Sequence, residues 1–306
     1  MNSGLSFKSK LIFAFAAIYL VWGSNFIIVQ HVLKSFPPFL LSSMRLCIAG
    51  MSLLVVCFIR KEPFPSKQEI YKNALTGIVI FIGGIVAVVW AQQYLSSSMT
   101  AIIITTPFWF VILDRRQWHY YFSSYWIVSG LLLGLLGVFL LAQSKHGSSS
   151  TVSSPMEFIA ILTIITGSFM WVAGSLYLKY HPTASSVYVN TTIQLLTAGI
   201  VCLPFSFLNG DADHFILDQI PWNAWLGLIY LAIVSSCITF LAFMWLIRVQ
   251  PPAVVSTYAY VNPLVATLLG WFIANEKISL LQISALAIIL IGLFFVNMPR
   301  YKWAVK

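Results

Sequence analysis

The chain has 306 residues, 59% of them hydrophobic and only 8% charged, with a mean hydropathy of +0.89. An ordinary soluble domain is about one quarter charged, so soluble domains are excluded, and ten spans of about 20 residues each leave no room for a large extramembrane catalytic or nucleotide-binding domain. The 17 Lys and Arg against 8 Asp and Glu give a net charge of +9, but the cations flank apolar segments, which points to membrane orientation and not to nucleic acid.

Charge-free stretches divide the chain into ten predicted spans: 11–31, 38–59, 74–94, 97–113, 124–142, 157–178, 184–208, 222–247, 252–273 and 279–298. The first run follows Lys8 and Lys10 as a signal peptide would, yet it is too long for such a core and lacks a small-residue cleavage site before Trp22, so it is predicted to be a retained helix. The stretch 73–113 is twice the length of one span, and Ser96, Ser97 and Ser98 near its middle supply a polar hairpin. The fifth span carries Gly130, Gly134 and Gly137, a small-residue series that suits close helix packing within the chain or, alternatively, a homodimer contact. Cys47, Cys57, Cys202 and Cys237 all lie in apolar runs with no CxxC spacing, so they are read as packing residues, with no metal or other cofactor implied.

Alternate connections differ sharply in charge. Thirteen Lys and Arg fall on one side and Lys34, Lys145 and Lys277 on the other, with Arg45 left inside a span. The positive side is cytoplasmic by this rule, which places both termini in the cytoplasm and the acidic loop 209–218 outside.

The two halves repeat. Trp22 and Trp171 are 149 apart, as are Gly50 and Gly199; Asn73 and Asn223 are 150 apart, and Pro107 and Pro263 are 156 apart. Five spans per half is an odd number, so the second half enters the membrane from the opposite side. The predicted fold is therefore an all-α polytopic membrane protein, ten transmembrane helices as two inverted five-helix repeats, 11–144 and 157–298.

The residues Trp22-Gly23-Ser24-Asn25, Arg45, and Pro263 thirteen residues before Glu276 in Asn275-Glu276-Lys277 resemble those of the drug/metabolite transporter superfamily. Within it, the chain is similar to ten-helix EamA-type proteins with two EamA repeats, over about 11–298. The first half departs from the pattern, because Tyr120 and no Glu stands thirteen residues after Pro107. The resemblance implies metabolite or drug transport in a bacterial inner membrane, with small organic solutes and the lipid bilayer as partners.

Candidate site residues follow from depth. Pro107 and Pro263 occupy matched positions in the fourth and ninth spans, and matched Pro-interrupted helices point to a binding and gating region. Trp22 and Trp171 are the mid-span tryptophans and are repeat mates, suited to line a cavity or to pack. Arg45 lies about 10 Å from the outer end of its span, with no mid-span carboxylate beside it; it is fit either to grip a carboxylate or phosphate or to bond helix carbonyls. Asn25, Asn190, Gln194, Thr239, Tyr258 and Asn262 are deep polar residues that need partners. Gln194 is the repeat mate of Arg45.

All five histidines, with Asp114, Glu157 and Glu276, fall at loops or span ends, and no phosphate-binding glycine loop is present. A secondary transporter, exporter or facilitator, working by alternating access is favoured over a dedicated proton pump. A structural or regulatory membrane protein is the alternative. A membrane enzyme is less favoured still, because the span interiors hold no Asp, Glu or His.

Overall fold

The computed structural model describes residues 6–104, 106–145, 154–211, 215–274 and 279–304. His146, Asp213, His214, Asn275, Glu276 and Lys277 lie outside the described residues, as do the side chains of Trp271 and Trp303.

The chain is helical throughout, with no strand among the described residues. In order the helices are α1 (Phe7–Val32), α2 (Pro38–Ile59), α3 (Lys67–Ala91), α4 (Ser97–Ile103), α5 (Thr106–Leu113), α6 (Trp118–Phe122) and α7 (Tyr125–Lys145). The second half follows as α8 (Pro155–Tyr180), α9 (Val187–Leu208), α10 (Trp222–Val249), α11 (Pro252–Val255), α12 (Tyr258–Ala274) and α13 (Leu280–Ala304). Local signals set several starts. Ser66 and Glu69 form a reciprocal capping box that carries α3 out to Lys67, seven residues before the expected 74. Ser154 caps α8 ahead of Pro155 at its first position.

Eight helices are long and apolar enough to cross a membrane, among the described residues, and α7 with the bent segment before it makes a ninth. The expected fourth span is two short pieces, α4 and α5, α4 ending at Ile104 with extended backbone. Its mate in the second half is likewise divided at Ser256 and Thr257 between α11 and α12. Large apolar side chains face outward along the long helices, among them Phe13, Phe58, Phe139, Ile200 and Leu290. Such an exterior suits lipid, where the helices already satisfy their own backbone groups.

Packing crosses between the halves and keeps its pattern when the halves are exchanged. The helix α2 packs on α9, and α7 on α13. The pair α1–α12 is matched by α8–α5, α1–α10 by α8–α3, and α2–α10 by α9–α3. Gly130, Gly134 and Gly137 act within the chain: a Cβ at Gly130 would lie 2.6 Å from the Val296 amide nitrogen, and one at Gly137 would lie 2.9 Å from the Ala285 carbonyl. Gly134 likewise packs within the chain, against Tyr260.

Helices α3 and α10 both widen into π-helix, over Ile78–Val86 and Tyr230–Thr239. The Ala87 amide accordingly donates to the Ile82 carbonyl, five residues back. These segments are 152 residues apart at their starts, so the duplication has kept the irregularity, and π segments in long helices are often placed at functional sites.

Candidate functional site

Both π segments face one chamber of about 80 Å³, which α1, α2, α5, α8, α10 and α12 also wall. Gly84 and Ile85 come from the first π segment and Ser235 and Ser236 from the second. Of the expected residues, Trp22, Asn25, Arg45, Trp171, Tyr258 and Asn262 meet here.

Arg45 is 2% exposed. Its Nε donates to Ser236 Oγ at 2.7 Å and its Nη2 to Ser235 Oγ at 2.9 Å, with Asn25 Oδ1 at 3.5 Å from the same nitrogen. Every one of these acceptors is neutral. No Asp or Glu lines the chamber, and Arg60 with Glu62 forms the one ion pair among the described residues. The structure thus gives the guanidinium side-chain hydroxyl and amide partners instead of the helix carbonyls expected of a packing role.

Much of the rest of the lining is aromatic. Trp22 stands edge-on to Trp171 at 5.6 Å and to Tyr258 at 4.8 Å between ring centroids. Phe240 and Phe243 back Trp171 at 5.8 and 5.3 Å. Edge-to-face pairs at these separations hold each other in place. Gly84 lets the α3 backbone approach the Trp171 face: a Cβ there would lie 2.1 Å from Trp171 Cε3.

Three polar atoms on the chamber lining are buried without a hydrogen bond: Thr106 Oγ1, Trp171 Nε1 and Asn262 Oδ1. The Tyr258 hydroxyl faces Thr106 and Trp171, yet neither bonds it closely enough to count as satisfied. Buried polar atoms left this way are uncommon and ask for a partner.

Asn190 and Gln194 do not reach the chamber. Asn73 of α3 donates to Asn190 Oδ1 at 2.8 Å, and Gln194 Nε2 donates to Asn73 Oδ1 at 2.9 Å, tying α3 to α9. Thr239 Oγ1 donates to the Val234 carbonyl within its own π segment. Pro107 is the second residue of α5, three residues after Ile104, whereas Pro263 lies inside α12, six residues past Thr257. Ser256 and Thr257 hydroxyls donate to the Ala253 and Val254 carbonyls at 2.8 and 2.6 Å, which satisfies acceptors freed at that break.

Ser235 and Ser236 were not among the expected lining residues. The signal was available, because adjacent serines in the charge-free stretch 219–247 are a polar pair where an unpaired Arg45 needs acceptors. Asp114, expected at a membrane surface, is 1% exposed and accepts from Tyr121 at 2.7 Å and from Tyr180. It thereby joins the end of α5 to the end of α8.

Helices packed as two exchangeable halves around a central chamber define a polytopic membrane transporter in architecture, and comparison with known proteins gives the family. Residues 9–143 and 158–298 each match the EamA-like transporter family, and the chain belongs to it. It is 29% identical over 296 residues to the uncharacterized inner membrane transporter YedA of Escherichia coli (strain K12), covering 96% of this chain and 92% of that one. Identity is 24% with the uncharacterized transporter YvbV of Bacillus subtilis (strain 168), over 95% of this chain and 92% of that one. A WAT1-related chloroplastic protein of Arabidopsis thaliana, At3g02690, is 22% identical over 92% of this chain and 68% of its own. One solved crystal structure shares the fold at a TM-score of 0.75 with 18% identity, covering 97% of this chain and 99% of that chain.

Proposed function

We propose that the protein is a secondary transporter, an exporter or facilitator of small organic metabolites such as amino acids or drug-like compounds, working by alternating access. The observation that carries this reading is the chamber walled by both halves and by both π segments. Units 11–144 and 157–298 rock against each other as inverted repeats, and the breaks at Ile104 and at Ser256–Thr257, with Pro107 and Pro263 in the helices that follow them, are the points that give way. The similarity to an inner membrane transporter and the thirteen-to-three cation bias support a bacterial inner membrane location with both termini cytoplasmic.

Purified protein in liposomes, loaded with a panel of amino acids and metabolites and assayed for uptake and counterflow with and without a pH gradient, tests the proposal. Saturable counterflow of at least one solute is the expected result. Its absence across the panel, with folded protein present in the vesicles, overturns the proposal in favour of a structural role.

A further inference from the structure

We infer that the chamber takes its solute by a carboxylate group, which supplies the counter-charge that Arg45 lacks within the protein. This rests on the transporter reading and narrows it to one chemical class.

Arg45 brings one full positive charge to a chamber with no acid on its lining. Its described partners, Ser235, Ser236 and Asn25, are neutral and engage Nε and Nη2. They accept hydrogen bonds but leave the charge uncompensated in a low-dielectric interior. None of the described residues accepts from Nη1. A guanidinium offers five N–H donors in a planar fork that matches a carboxylate with two parallel bonds. Nη1, with what remains of Nη2, is the part of that fork open to a ligand.

The rest of the chamber selects among anions. Asn262, 2% exposed, presents an unbonded acceptor, Oδ1, which calls for a donor on the solute such as an amino or hydroxyl group. The rings of Trp22, Trp171, Phe240 and Tyr258 cover the apolar part and offer π faces to an ammonium. A bare halide uses neither feature. A phosphate dianion brings two charges to one cation and leaves the aromatic wall idle. A small carboxylate carrying a hydrogen-bond donor, α-amino acids included, uses all three.

The test compares matched solutes on the full-length protein in liposomes and, for binding, in lipid nanodiscs. Alanine, leucine and phenylalanine are each set beside the corresponding amide and the amine lacking the carboxylate, with chloride and inorganic phosphate as simple anions. At least one carboxylate should be transported, with its amide at least tenfold weaker in apparent affinity. Arg45→Gln should abolish that discrimination, and Arg45→Lys, which keeps charge without the planar fork, should fall between. Should Arg45→Gln fail to fold, the wild-type comparison of each acid with its amide stands alone as the test.

Equal handling of acid and amide by the wild type overturns the inference, as does a preference that survives Arg45→Gln. So does binding of chloride or phosphate with no carboxylate bound. Transport of amides or amines alone would also sink it while leaving the transporter reading intact. Transport of nothing in the panel would overturn that reading and this inference with it.

Discussion

Gly84→Ala is the sharpest perturbation of the chamber, because its consequence can be read from one distance. The added methyl would sit 2.1 Å from Trp171 Cε3 and 2.9 Å from Cδ2, where ordinary carbon contacts are about 3.5 Å or more. Ring and helix must therefore separate by more than about 1 Å. Trp171 packs against Phe81, Phe240 and Phe243, with centroids at 6.4, 5.8 and 5.3 Å, and itself lines the chamber, so its displacement reshapes the chamber wall. Overpacking of this kind costs about 1–3 kcal/mol, or about 5- to 150-fold in the equilibrium it opposes at about 1.4 kcal/mol per tenfold. The expected result is folded protein in near-normal amount with transport KM raised by about fivefold or more. Trp171→Phe in the same background removes the clashing ring and should restore part of the loss, a coupling that a double-mutant cycle in KM measures. Wild-type KM in Gly84→Ala, or additive losses in the double variant, would refute the reasoning.

Three further outcomes concern the scaffold. Asp211, 4% exposed, accepts from the Phe39 and Leu40 amides at 3.1 and 3.2 Å and so caps α2, which has no cap of its own; Asp211→Ala should cost about 1–2 kcal/mol of stability, read as a lower thermal midpoint in detergent. Lys61 holds φ at 53° where its repeat mate Gly210 stands at 73°. Lys61→Gly should therefore raise that midpoint and Gly210→Ala lower it, each by about 1 kcal/mol. For topology, an impermeant thiol reagent should reach single cysteines placed in 209–218 from outside and not those in 62–70; the reverse pattern would sink the orientation.

Much of this architecture was legible because a bilayer imposes long apolar runs and the duplication imposes a 149-residue spacing. Trp22, Arg45, Tyr258 and Asn262 could be placed in one region from depth alone, since deep polar and aromatic residues in a bundle have few other places to go. Rotation about each helix axis was not legible. Asn190 and Gln194 share the i,i+4 spacing of Tyr258 and Asn262, yet they turn toward Asn73, and Asn190 also donates to Thr183 and the Ser185 carbonyl at the start of α9. Nothing in α9 itself records that choice, because it is set by where α3 packs. The π segments were hidden for a related reason: the compositions of Ile78–Val86 and Tyr230–Thr239 suit an α-helix equally well, and the widening shows only in the backbone hydrogen bonds. The burial of Asp114 was not legible because its partners, Tyr121 and Tyr180, are 7 and 66 residues away.

The two halves have kept their packing and parted in chemistry, and electrostatics explains why the parting is at Arg45. Its mate at a spacing of 149 is Gln194, and in the register of the π segments Ser235 and Ser236 stand where the first half has Gly83 and Gly84. A strictly symmetric site would set two unpaired guanidinium groups in one low-dielectric bundle, each already costly without an acid and each repelling the other. Replacing one by an amide removes both penalties, and the amide is then free to bond Asn73, 2.9 Å away, and join α9 to α3. On the other side of the pseudo-symmetry the serines give the remaining arginine its acceptors, while Gly84 makes room for Trp171 and Gly83 lies against Met170. One mate holds the charge and the other the aromatic face. A solute with a carboxylate at one end and an apolar group at the other would therefore enter in a single orientation, although the helices around it are arranged nearly alike from both sides.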